Sequence, residues 1–329
     1  MRLEQVDDIH RPKGIWQVKI VSSLSAEQES LLSIGQTGLV VSEQAFESVD
    51  AYGMIDIEGA PVAVGPVRSA KKVLQRTTID LIRHATYSLA IHHIDGAGGA
   101  AALNHDRGAD DQSPIESFAT ELSTWADTAR FVATTGLGLG ATEIGSTLHA
   151  SAAWSTELVA SSAAACVPIE ASSVVIASDG EEPALRAALA SRDVTLESDL
   201  AAAISSGVEV LIVRAKAGAL HHESLADVNV GQIIALQPLT TTARGLAVAG
   251  RQGTVIVPDF ISSAGPYLAA LGTSDELEPV TQDIASATSS VLTRLADTGT
   301  DMFVRACELA EAHLRTWTSD LPFGRPLAP

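Results

Sequence analysis

Three side chains able to attack or to carry a proton recur at four-residue intervals in a stretch free of Gly and Pro: His84, Ser88 and His92. On a helix these positions fall along one face. His92 would then reach Ser88, with Asp95 a turn further on to orient it, which on paper is a nucleophile, a base and a carboxylate. The competing reading is plainer. Helix-borne serines are seldom activated, no nucleophile elbow exists in the chain, and His84 and His92 would serve as polar fillers of that face. A metal is poorly served, since two helical turns hold the imidazoles roughly 12 Å apart. The adjacent pairs His92–His93 and His221–His222 diverge, and Cys166 and Cys307 form no CxxC, so no metal is expected.

Other groups suit a small carboxylate. Arg68 offers a fork for bidentate pairing, unless it is held in a structural ion pair. The run Gly96–Gly99 allows close backbone approach, so Gly98 and Gly99 either present N–H groups to an anion or make a tight turn. Tyr87, next to Ser88, either lines the same site or packs.

The elements that must position these residues follow from periodicity. Short apolar runs at Ile15–Val21, Gly38–Ser42, Tyr52–Ile57 and Val62–Val67 predict a strand-rich opening. A helix is predicted from Ala70 to about Ile94, a glycine turn at 95–99 and a strand at Ala100–Leu103. Ser113-Pro114-x-Glu116 opens a helix to about Arg130, followed by a strand at Phe131–Thr134 and a loop at 136–140. The Ala-rich stretch Ala150–Ala165 reads as a packing helix. Beyond Cys166, strands at Ser173–Ala177, Val194–Leu196, Val208–Val213, Gln232–Leu236 and Thr254–Val257 alternate with helical or loop segments, the rhythm of a parallel sheet covered on both faces. Two amphipathic helices, Glu276–Ala296 and Asp301–Trp317, precede a Pro-rich tail. The predicted class is α/β: an N-terminal α/β domain over 1–148, a Rossmann-like domain over 149–275, and C-terminal helices and tail over 276–329 that pack back on the first.

Composition bounds the function. The 329 residues carry 21 Lys and Arg against 40 Asp and Glu, a formal charge of −19, which argues against binding a nucleic-acid backbone. A 46% hydrophobic chain is not disordered, and with neither an 18-residue apolar window nor the apolar core of a signal peptide it is expected off the membrane and in the cytoplasm.

Five segments keep a common order. Ala85-Thr-Tyr-Ser88 is followed, after eight residues, by Ala97-Gly-Gly-Ala100; Gly65-Pro-Val-Arg68 precedes them, and Ala235-Leu-Gln-Pro-Leu-Thr240 and Val257-Pro-Asp-Phe-Ile-Ser-Ser-Ala-Gly265 follow. Together they resemble the glutamate/leucine/phenylalanine/valine dehydrogenases, whose signatures read M-T-Y-K, G-G-G-K, G-G-x-R, A-N-x-P-T and P-D-x-x-x-N-A-G-G. The resemblance spans roughly residues 50–315 and implies a two-domain, cleft-bearing, oligomeric fold, with homo-oligomers as the default.

The departures fall on the family's chemistry. Where the resemblance implies two lysines and an aspartate, the chain has Ser88, Ala100 and Gly136, none able to act as general base. Leu236 and Ser263 stand for two asparagines. The dinucleotide fingerprint aligns with Ser178-Asp-Gly-Glu-Glu-Pro183, which keeps only its middle glycine and sets three carboxylates where a diphosphate would lie. One such charge pair about 5 Å apart repels by roughly 3 kcal/mol at an effective dielectric near 20. No cofactor is expected. Three functions remain open: binding or non-redox chemistry on a small amino- or carboxyl-bearing molecule; a non-catalytic partner of another enzyme; or an unconventional NAD- or NADP-dependent oxidoreductase using His92, Asp95 or Arg68.

Overall fold

The computed structural model describes residues 41–106, 113–136, 139, 149–322 and 324–329. The expected strand at Ile15–Val21 lies outside them, as does most of the loop at 136–140. Two five-stranded sheets organise the rest. The first comprises β1 (Ser42–Ala45), β2 (Ala51–Ile55), β3 (Ala63–Ala70), β4 (Ala97–Asn104) and β5 (Phe131–Thr134) in the order β1-β2-β4-β3-β5. Strand β2 runs antiparallel to both neighbours, and β3 runs parallel to β4 and β5. The second comprises β6 (Ser173–Ala177), β7 (Asp193–Glu197), β8 (Val210–Val213), β9 (Gln232–Ala235) and β10 (Val255–Val257). It is wholly parallel in the order β10-β9-β8-β6-β7, so the chain reverses its direction of winding between β6 and β8. The α/β class is thus as the sequence pattern implied, and β8, buried at every residue, is the apolar run that a sheet covered on both faces requires.

Helix α1 (Gln75–Ile91) lies against β4, and α2 (Ser113–Ala129) covers the opposite face, where Phe118, Leu122 and Trp125 pack on Val67, Leu103 and Phe131. Around the second sheet stand α3 (Ser155–Ala165), α4 (Pro183–Ala188), α5 (Leu200–Ile204), α6 (Ala243–Arg251), α7 (Asp259–Ser262) and α8 (Gly265–Ala269). The two C-terminal helices are α9 (Leu277–Arg294), against α3, and α10 (Met302–Leu314), which packs on α1 and β10.

Helix α1 starts five residues later than its periodicity suggests, because β3 runs on to Ala70, paired with Asn104. Every residue from Ile82 to Ile91 is buried, so this helix is central, not amphipathic. Its polar residues must therefore find partners. Buried Asp56 provides them: Arg83 Nη2 donates to one carboxylate oxygen at 3.1 Å and Thr86 Oγ1 to the other at 2.7 Å. Thr86 Oγ1 in turn accepts from Gly98 N at 2.8 Å. Burial pushes the Asp56 carboxyl up, and the Arg83 guanidinium opposes that shift.

The predicted glycine turn is corrected here. Chain reversal is complete at Gly96, and Gly98 and Gly99 lie inside β4 with their backbones in the ladder. A Cβ on Gly98 would sit 1.6 Å from the Ile82 carbonyl oxygen, and one on Gly65 would sit 1.8 Å from that of Gly99. These glycines let a helix and a neighbouring strand approach, and offer no free anion nest.

Removing the guanidinium strands a buried carboxyl, so Arg83→Met is expected to lower the unfolding free energy by about 3–5 kcal/mol in urea titrations. Thr86→Val is expected to lose about 1–2 kcal/mol. Unchanged midpoints would show that this network does not hold α1 to its sheet.

Candidate functional site

The row of residues on α1 forms, but its members turn away from one another. Ser88 Oγ donates to the His84 carbonyl at 3.0 Å, the habit of a serine buried within a helix. The His92 ring reaches the Ser88 carbonyl oxygen through Nδ1 at 2.7 Å and leaves the hydroxyl untouched. Exposed Asp95 lies 3.0 Å from His313 Nε2 on α10, and so does not orient His92. The expected relay of Ser88, His92 and Asp95 is not assembled. Tyr87 packs edge-on against Phe260 and donates to Glu311 at 3.2 Å, and burial beside that carboxylate raises its hydroxyl's pKa.

His84 does reach out. Its Nε2 lies 3.4 Å from Ser263 Oγ and 3.5 Å from Asp259 Oδ1, at the end and the start of the short helix α7 after β10. The other Asp259 oxygen accepts from the Thr240 amide at 3.0 Å. Three of the ordered segments thus meet at one buried point: α1, the Pro-Leu-Thr turn after β9 and the Pro-Asp segment after β10. Neither His84 Nδ1 nor Asp259 Oδ1 has a hydrogen-bond partner, so the contact is tight but unsaturated.

Arg68 stands on β3 beside Ala102 in register, on the face that carries α1. It is partly buried, burial lowers its pKa, and among the described residues no carboxylate pairs with it. Its stem fills the space beside Gly136: a Cβ there would lie 3.1 Å from Arg68 Cγ and 2.0 Å from the Val67 carbonyl oxygen. The backbone at 136 is therefore built for glycine and would have to move to carry any side chain.

In the second sheet the notable group sits at the carboxyl ends of β6 and β8. Ser178 follows β6 and Arg214 follows β8. Between them Glu182, 7% exposed, caps α4 in a left-handed conformation with φ 45°. Arg214 grips its carboxylate with Nε and with Nη2, the latter at 2.8 Å, and Ser178 Oγ adds a third bond at 2.7 Å. Ser178 Oγ also accepts from Gly180 N at 3.0 Å. Burial raises the Glu182 carboxyl, but the bonds from Arg214 and Ser178 outweigh it and hold the group below the usual range. Asp179 and Glu181 point to solvent, so one of the three carboxylates expected at this terminus is turned inward and neutralised. Arg214 escaped the sequence reading: it belongs to no motif, and its position just past a strand end was the one available signal. Lys216, two residues on, is exposed.

Compared with family models and with curated proteins, the sequence matches none. Solved structures do match. The chain is similar to L-tryptophan dehydrogenase from Nostoc punctiforme, with a TM-score of 0.63 and 16% identity over 88% of this chain and 98% of that one. It is similar to hetero-hexameric glutamate dehydrogenase from Thermus thermophilus in a leucine-bound form, at 0.65 and 15% over 84% and 88%. Glutamate dehydrogenase from Peptoniphilus asaccharolyticus gives 0.62 and 12% over 85% and 92%. The fold is that of the amino-acid dehydrogenases.

In a doubly wound sheet of the dehydrogenase kind, a dinucleotide lies in the crevice at the carboxyl ends of the strands where winding reverses, its diphosphate on a helix N-terminus. Here that point is the gap between β6 and β8, where Glu182, Arg214 and Ser178 stand. A diphosphate there would have to displace a carboxylate from its own guanidinium, and Pro183 at the first turn offers no N–H. The residues present do not fit the coenzyme. Among the described residues no three His, Cys, Asp or Glu side chains gather as a metal would need, and no helix is long and apolar enough to cross a membrane. A cavity of about 300 Å³ lies elsewhere, beside the start of α2, lined by Asp50, Asn104 and His105.

Burial, with Arg294 and His93 nearby, pushes His92 down to about 4 despite its carbonyl partner. The unfolded chain takes up this proton near 6.5 and the folded chain only near 4, so the unfolded state gains protons first as pH falls. Stability is expected to be intact above 6.5 and to decline by up to about 3 kcal/mol between 6.5 and 4, a loss that His92→Gln removes. A variant with an unaltered pH profile in chemical denaturation would contradict this.

Proposed function

We propose that this chain carries the amino-acid dehydrogenase fold without the dehydrogenase reaction and binds a small carboxylate-bearing molecule, amino- or oxo-acid in type, through Arg68. The observation that carries this reading is the Glu182–Arg214–Ser178 group at the winding reversal, because it puts the protein's own anion where the coenzyme's would lie. Ser88, Ala100 and Gly136 support it from the other half. A serine bonded to its own helix, an alanine inside β4 and a glycine pressed on Val67 supply neither a general base nor a charge for the substrate. Arg68 is what remains for a carboxylate: a cation already partly desolvated, with no carboxylate to compete among the described residues.

A second reading is a subunit that works beside another chain, supported by the hetero-hexameric assembly of the Thermus thermophilus enzyme that shares the fold. Co-purification from the native source separates the two: a constant companion chain favours it, and a homo-oligomer alone removes it.

The direct experiment titrates NADH and NADPH by fluorescence to millimolar concentration and assays oxidation of the twenty amino acids. Neither binding nor turnover is expected, and robust turnover of any substrate ends the proposal. In parallel, amino acids and 2-oxo acids are screened by thermal shift. A binder at about ten times its Kd is expected to raise Tm by about 2 °C, and Arg68→Met to abolish that shift. A shift that survives in the variant would place the carboxylate elsewhere.

A further inference from the structure

The most exposed large apolar side chain among the described residues is Ile169, 88% exposed, in the turn that leads from α3 into β6. A lone isoleucine on a surface is ordinary. This one is held out on a braced support. The Ala171 amide donates to the Pro168 carbonyl at 3.1 Å, which closes a turn with Ile169 and Glu170 at its tip. The Pro168 ring fixes its own backbone, and Arg192 donates to the carbonyls of both Ile169 and Ala171. A knob ordered beforehand loses little freedom when another surface covers it.

Its counterpart lies beside it. The same Arg192 lines an open groove of about 560 Å³ along α4 and the start of β7, the edge strand of the second sheet, with Arg186, Ala187, Ala190, Asp193 and Val194. Ala187 and Ala190 end at Cβ and leave the groove room for a branched aliphatic group. Two arginines against one aspartate make the groove positive, whereas the knob carries Glu170. Arg186 and Glu170 are both exposed, and among the described residues neither is in an ion pair. An apolar knob with an anion and an apolar groove with a cation thus stand side by side, joined by one arginine. Two copies related by a two-fold axis bring each knob to the other's groove, and such a contact closes on itself. We propose that the turn 168–171, α4 and the start of β7 form an interface between two copies of this chain. Ile169 seats against Ala187, Ala190 and Val194 of the other copy, and Glu170 pairs with its Arg186, twice over. Side chains carry this contact, because two β7 strands paired antiparallel about Thr195 would set Asp193 against Glu197. The interface depends neither on Arg68 nor on the fate of the coenzyme site.

The test is sedimentation velocity on the full chain from about 1 to about 200 μM. The native assembly is expected to reach twice the mass of the Ile169→Asp assembly, whatever further association both make. Equal masses across the range overturn the proposal. Glu170→Arg and Arg186→Glu are each expected to raise the dissociation constant of this step about tenfold, and the two together in one chain to return it close to the native value. Single variants without effect, or a double variant no tighter than the singles, overturn it too. Positions 169, 170 and 186 are exposed, so the variants are expected to keep the native thermal midpoint within a few degrees. If Ile169→Asp does not fold, the charge exchange decides alone by the same criteria.

Discussion

A carboxylate and a guanidinium, meeting where a parallel sheet reverses its winding, determine what the second half of this molecule can hold. Glu182 adopts a left-handed backbone that costs a non-glycine residue roughly 1–2 kcal/mol. Two bonds from Arg214 and one from Ser178 offset it. Although Glu182 stands at the start of α4, its carboxylate makes no bond to the helix amides and is spent on Arg214 and Ser178. At the winding reversal one carboxylate is thereby buried and paired, while Asp179 and Glu181 stay exposed beside it.

The first half is built around a different necessity. A helix buried from Ile82 to Ile91 carries Arg83, His84, Thr86 and Ser88, and each polar group is placed by what it bonds. Arg83 and Thr86 converge on Asp56, Ser88 closes on its own helix, and His84 and Tyr87 reach the other half. This helix is the structural axis of the first half. Arg68 stands on the same side of the sheet, partly buried, and among the described residues no carboxylate pairs with it.

The architecture was largely legible because β-branched apolar runs bounded by turn residues are unambiguous: Phe131–Thr134 and Ser173–Ala177 fall where they were placed. Errors arose where tertiary pairing overrode local pattern. Ala70 looks helical but completes β3, and Gly98-Gly99 looks like a turn but is a strand thinned to admit α1. Spacing along α1 correctly set Ser88 and His92 on one side, yet said nothing of which atoms meet; a helical serine finds the carbonyl four residues back before it finds an imidazole. The partners Arg214 and His313 lie far off in sequence and belong to no motif, and Asp259, though within the Pro-Asp segment, shows no spacing that points to His84.

The claim on which the account rests is that Glu182 occupies an anion site of its own making. Phosphorus NMR of inorganic pyrophosphate, titrated against the native chain and against Glu182→Ala, measures this directly. No saturable shift is expected with the native protein, and millimolar binding is expected once Arg214 is released. Equal binding to both proteins, or tighter binding to the native one, would contradict it.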